Sequence, residues 1–162
     1  KEAKMISFSL MLSILFSGSI SGEEKNILPS CFSVQSMAGW QEDTKVNLTE
    51  RSLKYAFFLR DIAIREGLNE KDFIILGKAA ETESGWKHYD KMGNVLRGEK
   101  NPRVVGIFQI CEDSHKEEAK KMGLDIMTPK GNIIYAVFLY KKEHLRPWRT
   151  NRKLMNFVRD LG

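Results

Sequence analysis

Ala80-Glu81-Thr82-Glu83-Ser84-Gly85-Trp86 puts a carboxylate at the end of an apolar helical segment, with a glycine- and amide-bearing stretch downstream at Gly106-Ile107-Phe108-Gln109-Ile110. Ahead of the first stretch, Phe73, Leu76, Gly77 and Ala80 recur at i, i+3, i+4 and i+7, the period of one helix face. Ile74 and Ile75 make the same segment apolar on other sides, which predicts a central, buried helix opened by Asn69 as cap. On a 100°-per-residue wheel Glu83 projects within about 20° of Leu76, at the margin of the apolar stripe. Glu81 falls well off the stripe and reads as a surface charge. The two glutamates therefore face different surroundings, and only one of them is expected to sit in a cleft. A carboxyl held against apolar surface resists ionisation and stays available as a proton donor near neutral pH.

Working outward, the remainder reads as helices too. Thr49 is a candidate N-cap for a helix with Tyr55, Phe58, Leu59 and Ile62 on one stripe, ended by Gly67. Residues 86–105 are polar, with Gly93, Gly98 and Pro102, and predict an irregular loop or a short β-hairpin. Ser114-His115-Lys116-Glu117 has the form of a capping box, opening a short helix closed by Gly123. Thr128-Pro129 sets an N-cap followed by proline at the first helical position. The helix it opens carries Ile133, Ala136, Val137 and Tyr140 on one face and stops before Pro147. Leu154, Phe157, Val158 and Leu161 mark a last amphipathic helix. The expected fold is mainly α over residues 48–162, with one insertion after the second helix.

The 162 residues allow one domain of ordinary size plus a leader, and 42% apolar with 29% charged residues is the balance of a packed protein, not a disordered one. The formal charge of +5 suits an anionic partner such as nucleic acid, phospholipid or a wall polymer. No RNP, zinc-finger or leucine-zipper pattern supports nucleic acid, which is therefore not expected as a partner. Residues 5–22 carry no charge and follow Lys1 and Lys4, while Ser19, Ser21 and Gly22 give a cleavage-like end. Residues 1–22 are therefore read as a secretory signal peptide and 23–47 as a linker, with no stable membrane insertion after the signal is removed. If translation starts at Met5 the basic flank is lost, and an uncleaved anchor is the alternative. In an exported protein Cys31 and Cys111 are candidates for one disulfide; the alternative is two separate thiols, with Cys111 buried beside Ile110. Neither has metal-ligand spacing with His88, His115 or His144, so no metal or other cofactor is expected.

The two motifs resemble those of the soluble lytic transglycosylase family, a branch of the lysozyme-like fold. The first is a helix ending in Ala-x-x-Glu-Ser-Gly, here Ala80 to Gly85; the second is of the Gly-Leu-Met-Gln-Ile type, here Gly106 to Ile110. An Asn-bearing helix follows at Asn132-Ile133-Ile134-Tyr135-Ala136. The resemblance covers roughly residues 70–145 and implies a lysozyme-like helical domain whose insertion follows the catalytic helix. It implies Glu83 as the catalytic acid on the bond between N-acetylmuramic acid and N-acetylglucosamine, and then as base for the attack of the sugar's own 6-hydroxyl. Ser84 would hold Glu83 or the substrate acetamido group. Gln109 would contact sugar beside Gly106, and Phe108, at the family's methionine position, would supply an apolar wall. Trp86 and Trp148 stay open between sugar stacking and the core. The resemblance also implies an exported location, in the periplasm, cell envelope or extracellular space, with glycan strands and an envelope-spanning assembly as partners.

Two departures stand out. The family's Ala-Tyr-Asn segment is absent, the chain running His144-Leu145-Arg146-Pro147-Trp148 instead. Its tyrosine normally contacts the catalytic glutamate, so Tyr135 or Tyr140 must take that role, or the role is vacant. Val105 stands where a small residue usually precedes the motif glycine, which would narrow the cleft. Two other functions fit the same residues. One is a hydrolytic muramidase, with Asp90 or Glu99 directing water. The other is a wall-binding or assembly-associated protein that has lost turnover.

Overall fold

The computed structural model describes residues 48–161, and the expected signal peptide, the linker and Cys31 lie outside them. The described part is mostly helical. Helix α1 spans Leu48–Arg65 and α2 Glu70–Ser84; β1 (Val104–Val105) and β2 (Ile110–Cys111) form an antiparallel pair; α3 spans Glu112–Lys121, α4 Pro129–Glu143 and α5 Arg152–Asp160, with a 3-10 turn at Arg146–Trp148.

The predicted stripes of α1 and α2 are buried, whereas on the last stripe Leu154 is buried and Phe157, Val158 and Leu161 are half-buried. Tyr55, Phe58, Leu59 and Ile62 of α1 and Phe73, Leu76 and Ala80 of α2 all enter the core. Asn69 caps α2 in a reciprocal box: its side chain accepts the Asp72 N–H at 3.0 Å, while Asp72 accepts the Asn69 N–H at 3.2 Å. The helix buried on all sides is α4 rather than α2 alone. Beyond the expected face, Ile134, Tyr135 and Leu139 are buried in α4 as well. Thr128 caps it by accepting the Gly131 N–H at 3.0 Å, with Pro129 in the first turn, where a missing N–H costs nothing.

Two helix starts differ from expectation. Helix α3 begins at Glu112, so Ser114 lies inside its first turn and does not cap it. The Glu112 N–H bonds the carbonyl of Arg103, the residue before β1, at 2.7 Å, and Glu112 and Asp113 supply the negative charge a helix start favours. Thr49 likewise falls within α1, not before it.

The insertion between α2 and α3 is a loop with short β pairing, as the sequence predicts. Tyr89 bridges Val95, Arg97 bridges Val105, and Val104 and Val105 pair with Cys111 and Ile110. Helix α2 packs on both α1 and α5, and its C-terminal end is tied to the Gly106–Ile110 loop through Ser84 and to the start of α5 through Asn151.

Candidate active site

Glu83 sits in the last turn of α2, where the helix stops in a left-handed cap. Gly85 adopts φ 62°, its N–H bonds the Glu81 carbonyl at 2.9 Å, and the Trp86 N–H reaches back to the Ala80 carbonyl at 3.2 Å. Gly85 takes this conformation without a Cβ penalty. Ala79 and Ala80 are buried, so the helix end lies close against the core with Glu83 half-buried beside it. Burial raises the proton affinity of Glu83 above that of an ordinary glutamate, and a hydrogen bond from Asn151 works against that rise. The Asn151 Nδ2 donates to Glu83 Oε1 at 2.8 Å. Glu81 is half-buried too, not the open surface charge expected, and pairs with Lys78 at 2.6 Å. The two glutamates differ in partner, Lys78 for Glu81 and Asn151 for Glu83.

The loop Gly106–Ile110 lies against this helix end, tied by Ser84. Its hydroxyl donates to the Ile107 carbonyl at 2.8 Å and accepts the Lys87 N–H at 3.1 Å. Ser84 thus holds the loop to the helix and does not bond Glu83, because its one proton is taken up by the loop carbonyl. Gly106 has φ 74°, and a Cβ there would come within 2.6 Å of Asn132 Nδ2 and 2.7 Å of the His88 ring. Only glycine fits that packing. Asn132, fully buried on α4, spends its whole side chain on the backbone around it. Its Oδ1 accepts the Phe108 N–H at 3.0 Å, and its Nδ2 donates to the carbonyls of Val105 and Ile126, each at 3.1 Å.

Of the residues expected around a substrate, Phe108 is buried and Gln109 is engaged within its own loop. The Phe108 side chain is 0% exposed, packed 6.0 Å from the Trp148 ring, so it is core beneath the loop and not a wall open to a ligand. Gln109 is half-buried, and its Nε2 donates to the Gly106 carbonyl at 2.8 Å, closing the loop on itself at a backbone φ of 48°. Val105 is buried in β1, so its bulk goes into the core and does not narrow the cleft. Trp148 is buried as well and donates from Nε1 to the Phe108 carbonyl at 2.9 Å, and Trp86 is buried; neither offers a face for a sugar.

Neither tyrosine reaches Glu83. Tyr140 donates to Asp72 Oδ1 at 2.9 Å, at the far end of α2 from Glu83. Tyr135 donates to Glu118 Oε2 at 2.7 Å, on α3. Both are committed to holding helices together, and the contact expected of a tyrosine is made by Asn151. That residue follows the 3-10 turn, caps α5 by accepting the Leu154 N–H at 3.0 Å, and also donates to Thr82 Oγ1 at 2.9 Å. Sequence reading missed it. Asn before an amphipathic helix signals a cap, but nothing local signals a partner 68 residues away.

Asp90 is exposed and builds its own turn. It accepts the backbone N–H groups of Asn94 at 2.9 Å and Met92 at 2.8 Å, which hold its carboxyl below the usual range, Asn94 contributing most. Glu99 is exposed. Cys111 is half-buried as the residue before α3 and accepts a long contact from Ser114 Oγ at 3.5 Å; its expected partner Cys31 lies outside the described residues. Among the described residues no group of three or more His, Cys, Asp or Glu is placed to hold a metal ion, and no helix is long and apolar enough to cross a membrane. Compared with known proteins, the chain matches no family model, no curated protein and no solved structure.

Proposed function

We propose that this chain is an exported lytic transglycosylase of peptidoglycan, built on a lysozyme-like fold and working with the single carboxyl of Glu83. The observation that carries the reading is the half-buried Glu83 at the end of a core helix, its proton affinity raised by burial, beside a loop that Ser84 ties to the same helix end. Protonated Glu83 gives its proton to the glycosidic oxygen as the bond from C1 of N-acetylmuramic acid to that oxygen breaks. The neighbouring acetamido carbonyl of the sugar stabilises the positive character at C1. The 6-hydroxyl of the same sugar then bonds to C1 and passes its proton to ionised Glu83, leaving a 1,6-anhydro end. No water is consumed and the acid is regenerated, so one carboxyl suffices. The fixed Gly106–Ile110 loop serves as backbone rim to the site, and its side chains hold the rim in shape. The charge of +5, or +4 without Lys1, Glu2 and Lys4 of the expected signal peptide, favours a wall polymer bearing anionic groups, and the proposed place of action is the periplasm, cell envelope or outside of the cell.

Mass spectrometry of purified peptidoglycan treated with the mature protein and with Glu83→Gln tests this. The reading expects muropeptides one water lighter than hydrolytic products from the wild type and none from the variant. Products of full mass would move the assignment to a muramidase. Binding to the wall by both proteins with no product from either would leave a wall-binding protein.

A further inference from the structure

The amide of Asn151 can be oriented in one way only. Its oxygen accepts the Leu154 N–H at the start of α5, and its nitrogen lies 2.8 Å from Glu83 Oε1 and 2.9 Å from Thr82 Oγ1. Turning the amide over would set an N–H against the Leu154 N–H, losing the cap of α5, and would face ionised Glu83 with an oxygen in place of a donor. The Thr82 hydroxyl proton goes to the Lys78 carbonyl at 2.8 Å, so the threonine oxygen is free to accept and supports the same orientation. Asn151 therefore presents two N–H groups, one to Thr82 and one to Glu83. Its position is set from outside the site: α5 packs on α2, and Leu154 behind the cap is fully buried.

A donor aimed at Oε1 distinguishes the two oxygens of Glu83. The carbonyl oxygen of a carboxylic acid accepts a hydrogen bond better than its hydroxyl oxygen does, so an acid whose Oε1 is claimed by an N–H carries its proton on Oε2. When the carboxyl ionises the same N–H still has an acceptor, so the contact survives both halves of a proton-transfer cycle. A lysine or arginine in this position would favour the ionised form and empty the acid; an aspartate would compete for the proton. A neutral amide holds the group in place in either charge state. We propose that Asn151 is the positioning residue of this site, fixing Oε1 of Glu83 and leaving Oε2 to carry the proton that the reaction moves. The inference rests on the reading of Glu83 as the reacting acid.

The test uses Asn151→Asp and Asn151→Ser in the mature protein. Both keep an oxygen to cap α5, and both lose the N–H on Glu83. Heteronuclear NMR of the Glu83 carboxyl follows its titration directly, without activity, and kcat and KM on purified peptidoglycan are measured across pH. In Asn151→Asp the last proton of the carboxyl pair is lost about one pH unit or more above wild type. In Asn151→Ser the Glu83 titration moves the same way by less. The alkaline limb of kcat/KM follows the titration in each, and kcat falls roughly ten- to a hundredfold while KM stays within about twofold. A residue that only supported the fold would lower thermal stability and leave the Glu83 titration unmoved. Coincidence of the Glu83 titration in wild type and Asn151→Ser overturns the proposal, even if Asn151→Asp fails to fold. If the titrations shift as stated but wild type releases no muropeptides, the pairing of amide and carboxyl stands and the proposed function falls.

Discussion

At the scale of single residues, the site joins one carboxyl whose burial favours the proton with one imidazole whose burial rejects it. His88 is 1% exposed beneath Gly106, bonded through Nε2 to the Met127 carbonyl at 2.8 Å, and its Nδ1 has no partner among the described residues. Burial pushes its pKa down to about 4, against the pull of the Met127 carbonyl and the Asp125 charge. The bond to a carbonyl makes Nε2 the protonated nitrogen of a neutral ring. Because the folded pKa lies below the ordinary value, the unfolded chain takes up the proton first. Stability is therefore lost as pH falls from the ordinary histidine value toward about 4. Over that window the single group costs about 3 kcal/mol, a difference of roughly two and a half pKa units at 1.36 kcal/mol each, less what is not yet titrated at the lower end. Urea unfolding of wild type and His88→Gln at about pH 7 and about pH 4 measures it. The variant is expected to gain on wild type by that amount in acid, and an unchanged difference between the two would remove His88 as the cause.

At the scale of elements, the loop Gly106–Ile110 is held by a set of ties from three directions: Ser84 on α2, Asn132 on α4 and Trp148 after α4. Replacing Gly106 by Ala adds a Cβ to a left-handed backbone and drives it into Asn132 and His88. The expected loss is about 2–4 kcal/mol from backbone conformation and overpacking together, read by chemical denaturation. A loss under about 0.5 kcal/mol would mean that the loop yields and is not a fixed rim. The core helices were legible because burial imposes a 3.6-residue period, as at Tyr55, Phe58, Leu59 and Ile62 of α1. The start of α3 was not, because Ser114 and Glu117 imitate a capping box while β2 and Glu112 decide where the helix begins. Glu83 was legible from its place beside the stripe. The roles of Phe108, Gln109 and Tyr140 were not, since each depends on which partner packing delivers: Trp148, the Gly106 carbonyl and Asp72. Asn151 shows the same limit most clearly, its local signal being only that of a helix cap.

At the scale of the whole molecule, α4 forms a buried axis, and the candidate site lies where the end of α2, the insertion and the start of α5 come together. Residues far apart in sequence thus surround one carboxyl, and the account gives that carboxyl both steps of the proposed reaction. Asp90 is exposed and occupied by its own turn, which leaves a water-directing second carboxylate without a prepared position there. The most direct test of this central claim is digestion of peptidoglycan in water enriched in heavy oxygen, with the new sugar ends reduced at once and weighed. The account predicts anhydro ends that carry no heavy oxygen, since the attacking oxygen is the sugar's own. Heavy oxygen at the newly formed ends would show that water attacks, and would contradict it.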